Sequence, residues 1–129
     1  MYVVMSVCII SCGVGILLHY DRVVTSIRFE MSVYHLRNGS EMRRVDAAWK
    51  LREIRSKQAG VALIKAIAWD PSVKVRRTAL DALFGLDAST IGQAYEDILS
   101  LEEGGVARKF SEFFVERTRP TLEGMGLGG

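Results

Sequence analysis

The sequence predicts an all-α protein: a short α-solenoid of two to three helical hairpins, preceded by an apolar N-terminal helix. Three observations predict it. No charged side chain occurs from Met1 to Leu18. From Ser40 onward, apolar residues recur at helical spacing, with capping residues and breaks between the runs. The helical stretches also repeat: Arg44 recurs as Arg76, Ala47 as Ala79 and Leu51 as Leu83, all at one interval. A period in the low thirties marks a solenoid, whose units stack because none can bury its apolar face alone.

The 129 residues are enough for one domain. With 49% hydrophobic residues and only two prolines, the composition is that of a globular chain. Seventeen basic residues stand against 15 acidic ones, a near balance that does not predict nucleic-acid binding. Arginine outnumbers lysine by 12 to 5, which favours fixed, hydrogen-bonded contacts. Cys8 and Cys12 make neither a disulfide framework nor a spaced metal quartet.

As a helix, the uncharged run spans about 27 Å, just short of a hydrocarbon core of about 30 Å. His19 and Tyr20 extend it as interfacial residues. Residues 1–20 therefore read as a transmembrane or signal-anchor helix. Arg22, Arg28, Arg37, Arg43 and Arg44 follow the run and no basic residue precedes it. The positive-inside rule then makes the protein a single-pass membrane protein with its C-terminal domain in the cytoplasm. Three other readings compete. A cleaved secretory signal lacks its basic start. Ile9-Ile10-Ser11-Cys12 resembles a lipobox but is followed by the apolar GVGILL. The many β-branched residues, with Gly13 and Gly15 as turn residues, allow a buried β-hairpin and a soluble α+β protein. Ser11 with Gly15, and Cys8 with Cys12, have the spacing that lets membrane helices approach closely, although small residues are common in such helices generally.

Residues 21–39 carry two patterns. Ile27, Phe29, Met31 and Val33 alternate with polar residues as in a strand, while Val24, Ile27, Met31 and Tyr34 form a helical stripe. No partner strand follows, so the segment reads as a juxtamembrane helix or linker, with Asn38-Gly39 ending it in a left-handed turn.

The helices of residues 40–119 follow in order. Ser40 caps one running to about Arg55, with Val45, Ala48, Leu51 and Ile54 on one stripe and Trp49 beside it. The next runs from about Gln58 to Trp69 on Val61, Leu63, Ile64 and Ile67. Asp70 then caps a helix with Pro71 in its first turn, and Val75, Ala79, Leu80, Leu83 and Leu86 share its buried side. Thr90 and Gln93 have capping-box spacing for a helix through about Leu101. After Gly104-Gly105, Phe110, Phe113 and Phe114 form the apolar face of a helix from Val106 to about Arg117, which Pro120 stops. Residues 120–129 read as a flexible glycine-rich tail. Trp49 and Trp69 read as core residues.

The same shift that places Arg44 on Arg76 places Ile54 on Leu86, and a further shift places Arg76 on Arg108. The stretch DPSVKVRRTALDALFGL, through Asp70-Pro71, Val75-Arg76, Ala79, Ala82-Leu83 and Leu86, resembles the second half of a HEAT repeat. The likeness is to the short kind also seen in phycobilisome-lyase-like proteins, and it covers about residues 41–117. It is good in the middle copy, fair in the first, whose leading helix Val23–Leu36 would have to supply, and poor in the third. The resemblance implies a protein-binding scaffold, with Asp70 and Arg76 in the roles that bond neighbouring repeats.

No catalytic set is present. His19 and His35 have no metal-ligand spacing, Gly13-Val14-Gly15 lacks the rest of a dinucleotide fingerprint, and Glu102-Glu103 are adjacent and point apart on a helix. Neither enzyme activity nor a cofactor is expected. Arg43, Arg44, Lys50, Arg52 and Arg55 make one helix basic. They are candidate contacts for a protein partner or for anionic lipid, which attracts such residues by about 1 kcal/mol each near the surface. A solvated face with Arg–Asp pairs between repeats is the simplest explanation and ranks first, lipid contact second, and phosphate contact with nucleic acid last. The expectation is a membrane-anchored scaffold or adaptor that works by protein–protein contact. The competing expectation is a soluble accessory subunit whose apolar N-terminus is buried, as a β-element or in a larger assembly. A lyase-like or nucleic-acid-binding HEAT protein ranks last.

Overall fold

Three serines set the rhythm of the chain. Ser40, Ser56 and Ser72 are evenly spaced, and each accepts a hydrogen bond from the backbone N–H three positions on. Each so satisfies one of the orphan donors at a helix start. One helix and its turn therefore fill the interval from each serine to the next, and two such intervals make the repeat period.

In a computed structural model of the chain, the backbone is described for residues 2–101 and 105–124, and side chains for residues 19–101, 105–117 and 119. Six helices follow one another: α1 (Tyr2–Asn38), α2 (Glu41–Ile54), α3 (Lys57–Trp69), α4 (Val73–Phe84), α5 (Ala88–Leu101) and α6 (Val106–Gly124). Among the described residues there is no strand, so the protein is all-α and the β-hairpin reading of the N-terminus does not hold.

Helix α1 packs on α2, and α3 packs on α4. Across these pairs, α2 lies against α4 and α3 against α5. The core runs through the middle of this arrangement, with Leu51, Leu63, Ile64, Ile67, Val75, Leu80 and Leu83 fully buried. The face read from the sequence for α4 is the buried one: Val75, Ala79, Leu80, Leu83 and Leu86 are all in the core. The leading helix of the first pair is the C-terminal half of α1, which buries Ser32 and Leu36 and half-buries Phe29 and Val33. Helix α6 departs from the pattern. It packs chiefly on α3 and only lightly on α5.

Several local expectations give way. The cap of α4 is Ser72, because the Asp70 carboxylate is engaged elsewhere and Asp70 instead ends α3. Pro71 lies in the connection. Asp87, not Thr90, caps α5. Its carboxylate accepts from the Thr90 N–H at 3.3 Å and from the Thr90 hydroxyl at 2.6 Å. The hydroxyl bond holds the Asp87 carboxyl below its usual range. Its contribution to stability is present above the unfolded-state pKa and is lost as pH falls through the folded one. The left-handed residue at a helix end is Arg55, with φ 56° and ψ 23°, not Gly39. Glycine is still required at 39, since a Cβ there would stand 2.5 Å from the His35 carbonyl oxygen. Helix α6 continues past Pro120 to Gly124. A proline inside a helix removes one backbone hydrogen bond and crowds the carbonyl four residues earlier, which kinks a helix as well as breaking it, so Pro120 need not end α6.

Among the described residues no helix is long and apolar enough to cross a membrane. The run Met1–Leu18, on which the membrane reading rests, lies outside the residues whose side chains are described, as do Glu102-Glu103 and the whole tail, residues 120–129.

Candidate docking groove at the end of the helical array

Two glycines one repeat period apart define the site. Gly60 lies in α3 and Gly92 at the matching place in α5. At Gly60 the backbone of α5 comes so near that an added Cβ would stand 2.9 Å from the Ala94 Cβ. Glycine is used there because a neighbouring helix occupies the space. At Gly92 an added Cβ would meet nothing within 4 Å among the described residues. The position that receives a helix in one unit is open in the next.

The open position is the floor of a groove. Its walls are Phe84 from α4, Ile91 and Tyr95 from α5, and Phe110 and Phe114 from α6. The rings hold one another in place. Phe84 and Phe114 have centroids 5.7 Å apart, Tyr95 and Phe110 5.9 Å, and Phe110 and Phe114 6.2 Å, all tilted. These are ordinary aromatic packing distances, yet Phe84 remains 53% exposed. Among the described residues its lining is mostly aromatic and aliphatic, which suits the groove to apolar side chains. Its position follows from the route of α6, which leaves α5 to lie across α3. Sequence reasoning missed it, although Gly60 and Gly92 share the shift that aligned Arg44 with Arg76.

The basic residues singled out in the sequence do not form one patch. Arg44 is drawn into the fold. Its Nε and Nη2 donate to the two Asp70 carboxylate oxygens at 2.9 and 3.3 Å, and its Nη1 donates to the Gly39 carbonyl at 3.0 Å. The Asp70 side chain is only 5% exposed. This bidentate pair links α2 to the end of α3, and the Ser72 N–H also donates to Asp70. Ser72 in turn donates to Glu41 at 2.7 Å, a second link between the starts of α2 and α4. Arg76 occupies the matching position one unit later. Its Nη1 donates to the Asp70 carbonyl at 2.7 Å, and its guanidinium stands 5.5 Å from the centre of the Phe113 ring. Asp70 thus bonds the preceding unit's arginine through its side chain and its own unit's arginine through its backbone.

Lys50 pairs with Asp46 at 2.9 Å along the same helix, an exposed contact of small energetic weight. Arg52 lies over Trp49, 5.7 Å from the ring centre, and against Gly85 so closely that a Cβ there would collide with it. Arg43 and Arg55 are exposed. Neither tryptophan is a core residue. Trp49 is 39% and Trp69 50% exposed, and Lys109 from α6 sits 4.3 Å above the Trp69 ring. Each indole serves as a platform for a cation.

Among the described residues no cluster of three or more histidine, cysteine or acidic side chains is placed to hold a metal ion. Compared with protein-family models, with curated proteins and with solved structures, the chain matches none of them.

Proposed function

We propose that this protein is a membrane-anchored, HEAT-like scaffold that docks a helix of a partner protein in the groove beside Gly92 and carries out no chemistry of its own. The observation that carries the reading is the pairing of Gly60 with Gly92: the same register is filled by α5 in one unit and open in the next. Further support comes from the apolar walls and from the links between units at Arg44, Asp70, Ser72 and Glu41. Such links are what a solenoid of stacked hairpins needs, and a solenoid presents its unfilled end to whatever continues the stack. The fitting ligand is an amphipathic helix with a small residue facing Gly92, as Ala94 faces Gly60, and apolar residues one turn to either side. The anchor is supported by the uncharged run Met1–Leu18 and by the basic residues that follow it.

The test is a comparison of the whole chain with Gly92→Leu in membranes that contain its partners. The expected result is that both stay with the membrane at high pH and that Gly92→Leu alone loses its co-purifying protein, since leucine fills the groove without touching the fold. Partners that are retained by Gly92→Leu would remove the groove as the docking surface. A chain released from the membrane at high pH would replace the anchored scaffold by an accessory subunit whose N-terminus is buried in an assembly.

A further inference from the structure

Over residues 19–38 helix α1 has two apolar faces, and among the described residues one of them is packed. Phe29, Val33 and Leu36 turn toward the core. On the opposite side Tyr20 is 65%, Ile27 56%, Met31 51% and Tyr34 60% exposed, with Val24 half-buried between them. Glu30 and Arg37, with the exposed Val23, flank this second stripe on one side, and Asp21, Arg28 and His35 on the other. A stripe of large apolar side chains over four turns is more than a monomer ordinarily leaves to water.

The spacing says what covers it. Tyr20, Val24, Ile27, Met31 and Tyr34 alternate steps of four and three. That is the seam by which two long helices wrap on each other, narrower than the stripe that faces a globular core. Lipid does not fit as the cover. Helix α1 is continuous from Tyr2 to Asn38, so Ile27 to Tyr34 lie about 14 to 24 Å beyond Leu18 along its axis. If the run to Leu18 lies in the bilayer, Tyr20 sits at its edge and the stripe from Ile27 to Tyr34 stands outside it.

We infer that two copies of this chain pair through the outward face of α1, parallel and in register. This rests on the anchored reading, because two copies inserted with the same orientation can meet only in parallel. The flanking charges agree. In a parallel pair on this seam, Glu30 of one helix faces His35 of the other, and by symmetry the contact is made twice. The hollow that His35 lines also holds Arg43, Asp46 and Lys50; Lys50 pairs with Asp46, which leaves Arg43 as the positive charge for the partner's Glu30. An antiparallel pair centred on Ile27 would instead bring Arg28 near Arg28, each already drawn toward its own Glu53 at 4.0 Å, and would gain no contact between opposite charges there.

The experiment uses the whole chain in membranes, with Cys8→Ala and Cys12→Ala, carrying a single new cysteine at Tyr20→Cys, Tyr34→Cys or Gln58→Cys. Mild oxidation is expected to convert most of the Tyr20→Cys and Tyr34→Cys chains to covalent dimers. Gln58→Cys, on α3, is expected to give less than a tenth as much. Adding Ile27→Glu should reduce the Tyr34→Cys dimer at least tenfold while leaving the helical circular-dichroism signal unchanged. The proposal is overturned if Tyr20→Cys and Tyr34→Cys stay monomeric singly. It is also overturned if they form dimers only when mixed, which is the antiparallel result. High-pH extraction of the same membranes separates the two readings: dimers that form on a chain released into the supernatant keep the interface and remove the anchor.

Discussion

Asp70→Ala is expected to lower the free energy of unfolding by about 3–5 kcal/mol, the range for breaking one partner out of a buried ion pair. The Arg44 guanidinium, with a side chain 18% exposed, would keep its bond to the Gly39 carbonyl and lose both bonds to carboxylate. The Ser72 N–H would lose its acceptor as well. Arg44→Ala should be comparably damaging, because it strands a carboxylate that is only 5% exposed. The double variant should cost clearly less than the sum of the two, since each single change removes the same contact. Urea unfolding followed by tryptophan fluorescence measures all three. Strict additivity would mean that the link between the first two units contributes nothing as a pair.

Leu83→Ala is the second large effect, with an expected loss of about 2–5 kcal/mol. Leu83 is fully buried where α4 meets the rest of the core. The α3–α4 and α2–α4 contacts both press on that helix, so the space left by the removed atoms has little room to collapse. A loss below about 0.5 kcal/mol is what a surface position shows and would contradict the packing of α4. The same unfolding curves supply the answer.

Much of the fold was legible because the signals for helices are local. Ser40, with no rival capping residue beside it, accepts from the N–H three positions on and so marked α2 correctly. Apolar spacing identified most of the buried side of α4, Val75, Ala79, Leu80 and Leu83, and missed the equally buried Ala82. What failed were choices that distant residues make. Asp70 and Ser72 are both good capping residues; Ser72 holds the cap because Arg44, far earlier in the chain, takes the carboxylate of Asp70. The same pairing removed Arg44 from the basic face on which a one-dimensional reading places it.

Trp49 and Trp69 have helical spacing suited to a core, but their exposure depends on where α2 ends and where α6 crosses α3. The stripe Val24, Ile27, Met31 and Tyr34 was visible, and its period is indeed helical. Its direction was not visible, because α1 is apolar on two sides and only the packed structure shows that Phe29 and Leu36 face inward. The docking groove was hidden for a similar reason. Glycines at 60 and 92 look alike in the chain, and only the position of α5 distinguishes a filled place from an open one.

One pair of substitutions separates a filled position from an open one. Gly60→Ala and Gly92→Ala make the same change at the same register of α3 and α5. In an unobstructed helix interior, alanine should be favoured over glycine by about 0.8–1.0 kcal/mol. The prediction from urea unfolding is therefore that Gly92→Ala stabilises the chain by about that amount. Gly60→Ala should destabilise it, because its new Cβ would be 2.9 Å from Ala94, and overpacking of this kind costs about 1–3 kcal/mol. Equal stabilisation by both would mean that α5 does not occupy the Gly60 position, and equal destabilisation that the position at Gly92 is already filled.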